Sequence, residues 1–240
     1  MGNFLLLNCD EERREKMKMI WLGQAGLLLE MEGIRIMIDP YLSDSVKAIN
    51  PKNYRRVPVD KRFLEMQPDV LILTHNHLDH TDPETLKHYL DRDGGILVLA
   101  PEVAWQEARK FGHDHNYVRF NRHTQWTLGS IRFTAVKAEH SDPHPIGVII
   151  EAEGKVLYIT GDTLYNTEIF ADLPENIDAV FLPVNGVGNN MNMADAKRFC
   201  EHIGAKKAVP MHCALFDSID MNEFDYEPKV VPAIYEEITL

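Results

Sequence analysis

Between positions 75 and 80 the chain places three imidazoles and a carboxylate, His75, His77, Asp79 and His80, within Thr74-His75-Asn76-His77-Leu78-Asp79-His80. Core packing has no use for four polar side chains at that density. Neutral imidazole and carboxylate are the donors that suit zinc and other first-row divalent ions. A turn leaving the apolar run Asp69-Val70-Leu71-Ile72-Leu73 can aim His75 and His77 at one ion while Asp79 and His80 face a second. Three more donors stand where apolar runs end: His140 after Ala135-Val136-Lys137-Ala138-Glu139, Asp162 after Tyr158-Ile159-Thr160-Gly161, and His212 after Ala208-Val209-Pro210-Met211. Ligands of layered α/β proteins gather outside one end of the strands, so four segments that each end in a donor predict one composite site. The run ending at Leu182 delivers Asn185, a candidate wall of the same cleft.

Such a site needs strands to carry it. Apolar, β-branched runs bounded by turn residues predict strands over 17–22, 27–31, 34–38, 69–73, 96–100, 131–136, 146–150, 156–160, 179–182 and 207–210. Helices are expected over 83–89, 101–111 and 193–203. The first follows Thr81-Asp82-Pro83-Glu84, which reads as a capping box with Thr81 as the cap and proline in the first turn. Hairpins come first and alternation with helices later, which indicates a mixed α/β or α+β layered domain and not a simple doubly wound sheet. Residues 1–16 end in the charged stretch Asp10 to Lys16 and read as an N-terminal extension, leaving 17–240 as one domain.

The composition limits the partners. Among 240 residues, 25 are Lys or Arg and 37 Asp or Glu, a formal charge of −12, and such a surface repels polyphosphates. A nucleic-acid partner is therefore not expected. No apolar run approaches the roughly 20 residues of a membrane helix, and Phe4-Leu5-Leu6-Leu7 lacks the basic flank and length of a signal peptide, so no membrane partner is expected either. Three cysteines, Cys9, Cys200 and Cys213, are too few and odd in number for a disulfide framework, which predicts a reducing, cytoplasmic setting. A homo-oligomer is compatible with the sequence.

Against the acidic background, residues 46–62 gather Lys47, Lys52, Arg55, Arg56, Lys61 and Arg62. The segment is either a solvated loop or a lid that draws an anionic substrate, with Arg55 and Arg56 as its contacts. His144 lies near His140 in sequence and is a candidate to line the cleft. His113-Asp114-His115 lacks a following Asp-His pair and is expected at the surface. Asp39, directly after a strand, either fixes the tautomer of a ligand histidine or makes a local turn with Pro40. Asn189 and Asn190 serve either substrate or Gly-rich turns.

The pattern His75-x-His77-x-Asp79-His80, followed by His140, by Asp162 within Thr160-Gly161-Asp162-Thr163 and by His212, resembles the metallo-β-lactamase-fold hydrolases from Met17 to about Phe216. Within that superfamily, Ile20-Trp21-Leu22-Gly23-Gln24-Ala25-Gly26, Ile38-Asp39-Pro40, His140-Ser141-Asp142-Pro143, Met193-Ala194-Asp195-Ala196 and Val209-Pro210-Met211-His212 are most similar to the L-ascorbate-6-phosphate lactonase group and its relatives. Gln24 stands where that group often carries histidine. The resemblance implies an α+β fold, a four-layer αββα sandwich with a binuclear site between the sheets at one edge. By the same resemblance His75, His77 and His140 would hold the first ion, Asp79, His80 and His212 the second, and Asp162 would bridge them.

Water held between two divalent ions loses its proton near neutral pH, because a bound cation brings its pKa down towards about 7. The implied nucleophile is thus a metal hydroxide, and no Gly-x-Ser-x-Gly elbow or phosphate-binding glycine loop competes with it. One ion would polarise the substrate oxygen while Asp79, as the catalytic carboxylate, hands a proton to the leaving group. The cofactors expected are two ions of zinc or manganese, with iron also compatible. The expected function is opening of a lactone or ester of a small anionic, phosphorylated sugar-like substrate. A phosphodiesterase or nuclease of the same fold is the alternative, and a non-hydrolytic metal-binding regulator a third.

Overall fold

The computed structural model describes residues 17–240, so the extension read over 1–16 lies outside the described residues. Two six-stranded mixed sheets face each other. The first begins as a meander, β1 (Lys18–Gly23), β2 (Gly26–Met31) and β3 (Ile34–Ile38), and continues with β4 (Val70–Ile72), β5 (Leu97–Ala100) and β6 (Asn116–Arg119) in parallel. The second also begins as a meander, β7 (Gln125–Leu128), β8 (Ile131–Lys137), β9 (Ile146–Ala152) and β10 (Lys155–Ile159), and adds β11 (Ala179–Pro183) and β12 (Ala208–Met211) in parallel.

The two-residue period of the strands sorts the apolar side chains into layers. Ile36, Ile38, Val70, Ile72, Leu97 and Leu99 fill the space between the sheets with Phe133, Val148, Ile150, Leu157 and Ile159. Their alternates Met37, Leu71 and Val98 pack outward onto Leu86, Tyr89 and Leu90 of α3 (Pro83–Leu90), onto Ala104 and Ala108 of α4 (Glu102–Ala108), and onto Phe63. The outer face of the second sheet is covered by α5 (Met193–Ile203) through Ala196, Phe199 and Cys200. Central strands are thus buried on both faces, which is why they read as continuous apolar runs. Each fully buried aliphatic side chain contributes roughly 1.5–3 kcal/mol. The result is the four-layer αββα arrangement of the metallo-β-lactamase fold.

Helix α3 begins at Pro83 as expected, but Thr81 is not its cap. Asp82 is the cap, its carboxylate accepting from the N–H groups of Glu84 and Thr85, because Pro83 takes the first helical position. Thr81 instead donates its hydroxyl to the His75 carbonyl. Helix α4 is shorter than expected, and strands β6 and β7 were not anticipated, since both are polar and largely exposed edge strands. The 46–62 segment takes in most of a short helix, α1 (Ser45–Ile49), an irregular stretch over 50–60 and the start of a second short helix, α2 (Lys61–Glu65). The C-terminal stretch runs along the flank of both sheets: Tyr235 and Ile238 donate backbone N–H groups to Trp21 and Met19 of β1, and Val230 to Ala208 of β12. Among the described residues no helix is long and apolar enough to cross a membrane.

Strand direction gathers the loops on one rim. Strands β1, β3 and β4 run the same way, as do β8, β10, β11 and β12, so Gln24, Asp39, Thr74 to His80, His140, Asp162, Asn185 and His212 all follow strand ends on that rim. One carboxylate fixes the approach to His140. Asp172 takes Arg122 in a two-pronged ion pair at 2.6 and 2.8 Å, and also accepts from His123 Nε2 and from the Lys137 N–H at the end of β8. Burial opposes its charge, but these hydrogen bonds outweigh it and hold the carboxyl well below the usual range. Asp172→Ala is expected to lower the stability of the metal-free protein by about 2 kcal/mol in urea unfolding at pH 7. Because the folded-state pKa is depressed, that difference is present above about pH 4 and shrinks as the pH falls below it.

Candidate metal centre

The rim is organised from Asp39, which follows β3 with φ 43 and is wholly buried. Its Oδ1 accepts the Thr74 N–H at 2.8 Å, and its Oδ2 accepts the Thr74 hydroxyl at 2.5 Å and His80 Nδ1 at 2.8 Å. With Nδ1 of His80 donating to the carboxylate, Nε2 is the atom that faces the rim. The Thr74 hydroxyl, having given its proton to Asp39, accepts from His75 Nδ1 at 3.1 Å. That leaves the buried Nε2 of His75 as a lone pair with no partner among the described residues. His140 is oriented in the same way, with Nδ1 3.1 Å from the Asn189 carbonyl and Nε2 3.0 Å from His77 Nδ1. The Asn185 amide lies 3.1 Å from His212 Nδ1.

All seven donors expected from the sequence come together. They form three overlapping groups, His75 with His77 and His140, His75 with His80 and Asp162, and Asp79 with His80 and His212, the donor atoms of each lying within 4.8 Å of one another. Across the groups, His80 Nε2 is 3.2 Å from His212 Nε2, and Asp162 Oδ2 is 3.1 Å from His212 Nε2. The set fits divalent ions on its own chemistry. Lone pairs that point at one another repel and are costly to bury, and Asp162 Oδ1, like His75 Nε2, is a buried donor atom with no hydrogen bond among the described residues, its nearest charge partner being His80 Nε2 at 3.4 Å. Glycine delivers Asp162 to this place. Gly161 has φ 60, and a Cβ there would stand 2.8 Å from the Ile146 carbonyl oxygen and 2.9 Å from the Thr74 Cβ.

Charge is divided unevenly over the imidazoles. Burial, then the neighbouring His80, pushes the pKa of His75 well down, and burial does the same to His140, so both are neutral donors at pH 7. Burial also disfavours charge on His80 and His212, but there the carboxylates win. Asp162, Asp39 and Asp79 raise His80, and Asp162 and Asp79 raise His212 to about 10. Asp79 and Asp162 respond in kind. Burial would raise both, yet His80 and His212 hold them well below the ordinary carboxylate range.

Around the donors lies a cleft of about 470 Å³. Its polar walls are the amides of Gln24, Asn53, Asn185, Asn189 and Asn190 with Ser141, and its apolar walls are Val46, Val187 and Phe216. Of the other side chains singled out by sequence, Asn185 is in this wall. Arg55, Arg56 and His144 are not. The Arg55 guanidinium is turned into the fold, donating to the carbonyls of Tyr41 and Val57 and to the Tyr235 hydroxyl, and burial lowers its pKa. Arg56 braces the cleft from outside by donating to the Phe216 carbonyl. His144 is exposed beside Asp142, which accepts its N–H. The expected surface position holds for His113 and Asp114 but not for His115, a buried side chain between the Ile96 N–H and the Leu90 carbonyl. Three residues touch the donors without any sequence signal for that contact: Thr74, Asn190, whose Nδ2 donates to Asp162 Oδ2 at 2.9 Å, and Gln24, whose Nε2 donates to Asp79 Oδ2 at 2.9 Å.

Residues 34–213 match the family model of the beta-lactamase superfamily domain. A UPF0173 metal-dependent hydrolase of Korarchaeum cryptofilum is 31% identical, the match covering 83% of this chain and 84% of the relative. Another from Geobacillus thermodenitrificans is 27% identical over 91% and 95% of the two chains. Among solved structures, the metallo hydrolase Igni18 of Ignicoccus hospitalis superposes with a TM-score of 0.73 at 21% identity, covering 92% of this chain and 97% of its own.

Metal loading has a measurable proton cost. A hydrogen bond between His80 Nε2 and His212 Nε2 requires one N–H and one lone pair, so in the metal-free protein the pair retains at least one proton at pH 7 where a ligand lone pair is needed. Zinc uptake at pH 7 is expected to release at least one proton per chain, read from titration heats in buffers of different ionisation enthalpy. Affinity should fall as the pH is lowered.

Proposed function

The chain belongs to the beta-lactamase superfamily, as a metal-dependent hydrolase of the UPF0173 family, and we propose that it opens a lactone or ester of a small, hydroxyl-rich, sugar-like substrate at a pair of divalent ions. The observation that carries this reading is the convergence of seven imidazole and carboxylate donors, four of which, His77, Asp79, Asp162 and His212, line a cleft walled mainly by side-chain amides. Zinc or manganese suits these donors, with iron as a further fit. His75, His77 and His140 would hold one ion, Asp79, His80 and His212 the other, and Asp162 both. When bound, the ions supply Lewis acidity and a deprotonated water at neutral pH.

The chain's own residues do the rest. Asp39 holds His80, and through Thr74 also His75, in the tautomers that donate through Nε2. The amides of Asn185, Asn189 and Asn190 offer donors and acceptors to substrate hydroxyls. Asp79 lines the cleft and, with one oxygen held by Gln24, is placed to carry a proton to the leaving group. The anionic group expected from residues 52–62 has less support, since among the described residues no Lys or Arg lines the cleft. The same fact, with a net charge of −12, counts against a nucleic-acid or other polyanionic phosphodiester.

The test pairs elemental analysis of the purified protein with assays after zinc or manganese loading, using galactono-1,4-lactone and bis(p-nitrophenyl) phosphate. Near two metals per chain with lactone turnover is the expected result. Turnover of the phosphodiester alone would replace it with the phosphodiesterase reading. In the same assay Asp79→Asn at full metal occupancy is expected to lose roughly 100-fold in kcat. Unchanged turnover would remove Asp79 as the proton carrier.

A further inference from the structure

The β1–β2 turn carries a residue that neither the turn nor the core asks for. Gln24 has φ 49, in the left-handed region where glycine or asparagine costs least. It is 2% exposed, and its Oε1 has no hydrogen-bond partner among the described residues, so half of the amide is desolvated without return. Both features oppose folding. What offsets them lies at the other end of the residue.

Gln24 Nε2 donates to Asp79 Oδ2 at 2.9 Å. An ionised carboxylate only accepts, so the amide nitrogen must face Asp79, and the oxygen is the end left unpaired. The backbone carbonyl of the same residue accepts the His212 N–H at 3.0 Å, and is itself fixed by the Trp21 indole N–H at 2.9 Å. His212 has φ 62, a strained conformation for a non-glycine residue that needs such an anchor. Asp79 follows β4 in the first sheet and His212 follows β12 in the second, and their facing atoms, Oδ2 and Nε2, are 3.4 Å apart.

We propose that Gln24 is a positioning residue for one ion: its amide sets the carboxylate of Asp79 and its carbonyl sets the backbone of His212, so that both converge with His80 Nε2 on a single divalent cation. This rests on the reading of Asp79, His80 and His212 as the ligands of one ion. It assigns to the turn between the first two strands a role in metal affinity, not in stability. A side chain kept for packing would stabilise the fold; this one is expected to weaken it slightly and strengthen the site.

The opposition of those two effects is the test. Zinc is titrated against a competing chelator into metal-free wild type, Gln24→Met and Gln24→Gly, and the melting temperatures of the metal-free proteins are measured in parallel. Methionine keeps the length and removes the donor; glycine also relieves the backbone. Both variants are expected to bind the first zinc as wild type does and the second about 10- to 100-fold more weakly, the range for losing the outer partner of a metal ligand. Their metal-free melting temperatures should be equal to or above that of wild type. Second-zinc affinity equal to wild type would overturn the proposal. So would a lower metal-free melting temperature with both zinc affinities reduced alike, which marks a structural residue. Wild type that takes up no zinc would fail the ion-site reading itself, and this inference with it, whereas two zinc ions in wild type and identical binding in Gln24→Met would overturn only the role of Gln24.

Discussion

A single buried carboxylate sets the orientation of two histidines of the donor cluster. Asp39 holds His80 directly, and reaches His75 through the hydroxyl and N–H of Thr74. An imidazole can present either ring nitrogen, and only the hydrogen bond at the far nitrogen decides which one carries a lone pair. Asp39 makes that decision for two of the rings that meet at the centre of the site. It does so from a position with φ 43, where its backbone N–H is tied to Ile72 in the neighbouring strand, so the constraint is anchored in the sheet.

The donors then depend on strand direction, because loops can share a rim only when the strands feeding them point the same way. Each sheet pairs an antiparallel meander with parallel strands, and alternate strands of the meander point with the parallel ones. Contributions from both sheets therefore reach one edge without a long loop. The remaining tension is electrostatic. Asp79 and Asp162 repel each other in a buried place and are neutralised by His80 and His212, which in turn take up charge that a metal would supply. Bringing seven donors together serves binding before it serves folding.

Much of this was legible in the sequence because it is local. His75, His77, Asp79 and His80 announce themselves by density, and His140, Asp162 and His212 by standing just past apolar runs. What was not legible depends on distance along the chain. Thr74 reaches Asp39 across 35 positions, Asn190 reaches Asp162 across 28, and Gln24 reaches Asp79 across 55. No spacing rule connects them. Arg55 fails for a related reason: composition counts its charge as solvated, whereas the fold turns the guanidinium inward to two carbonyls and a tyrosine hydroxyl. His115 is likewise a polar residue that packing has absorbed. Strands β6 and β7 carry too little apolar alternation to be seen, since each forms the open edge of its sheet.

The C-terminal stretch along the flank of both sheets has a kinetic meaning. Strand β1 is nearly the first described segment to leave the ribosome, yet its outer hydrogen bonds are completed by Tyr235 and Ile238, more than 200 positions later. Pairings between such distant segments form late, since the loop between them must first be closed. During synthesis the free edge of β1 stays open to any other extended chain, a period in which a nascent protein is exposed to misassembly. The same late contact lies three positions from Gln24, as Trp21 joins Tyr235 on one side and the Gln24 carbonyl on the other. Completion of the flank and anchoring of the turn thereby share Trp21, and a chain halted before position 235 would leave the flank of β1 unfinished.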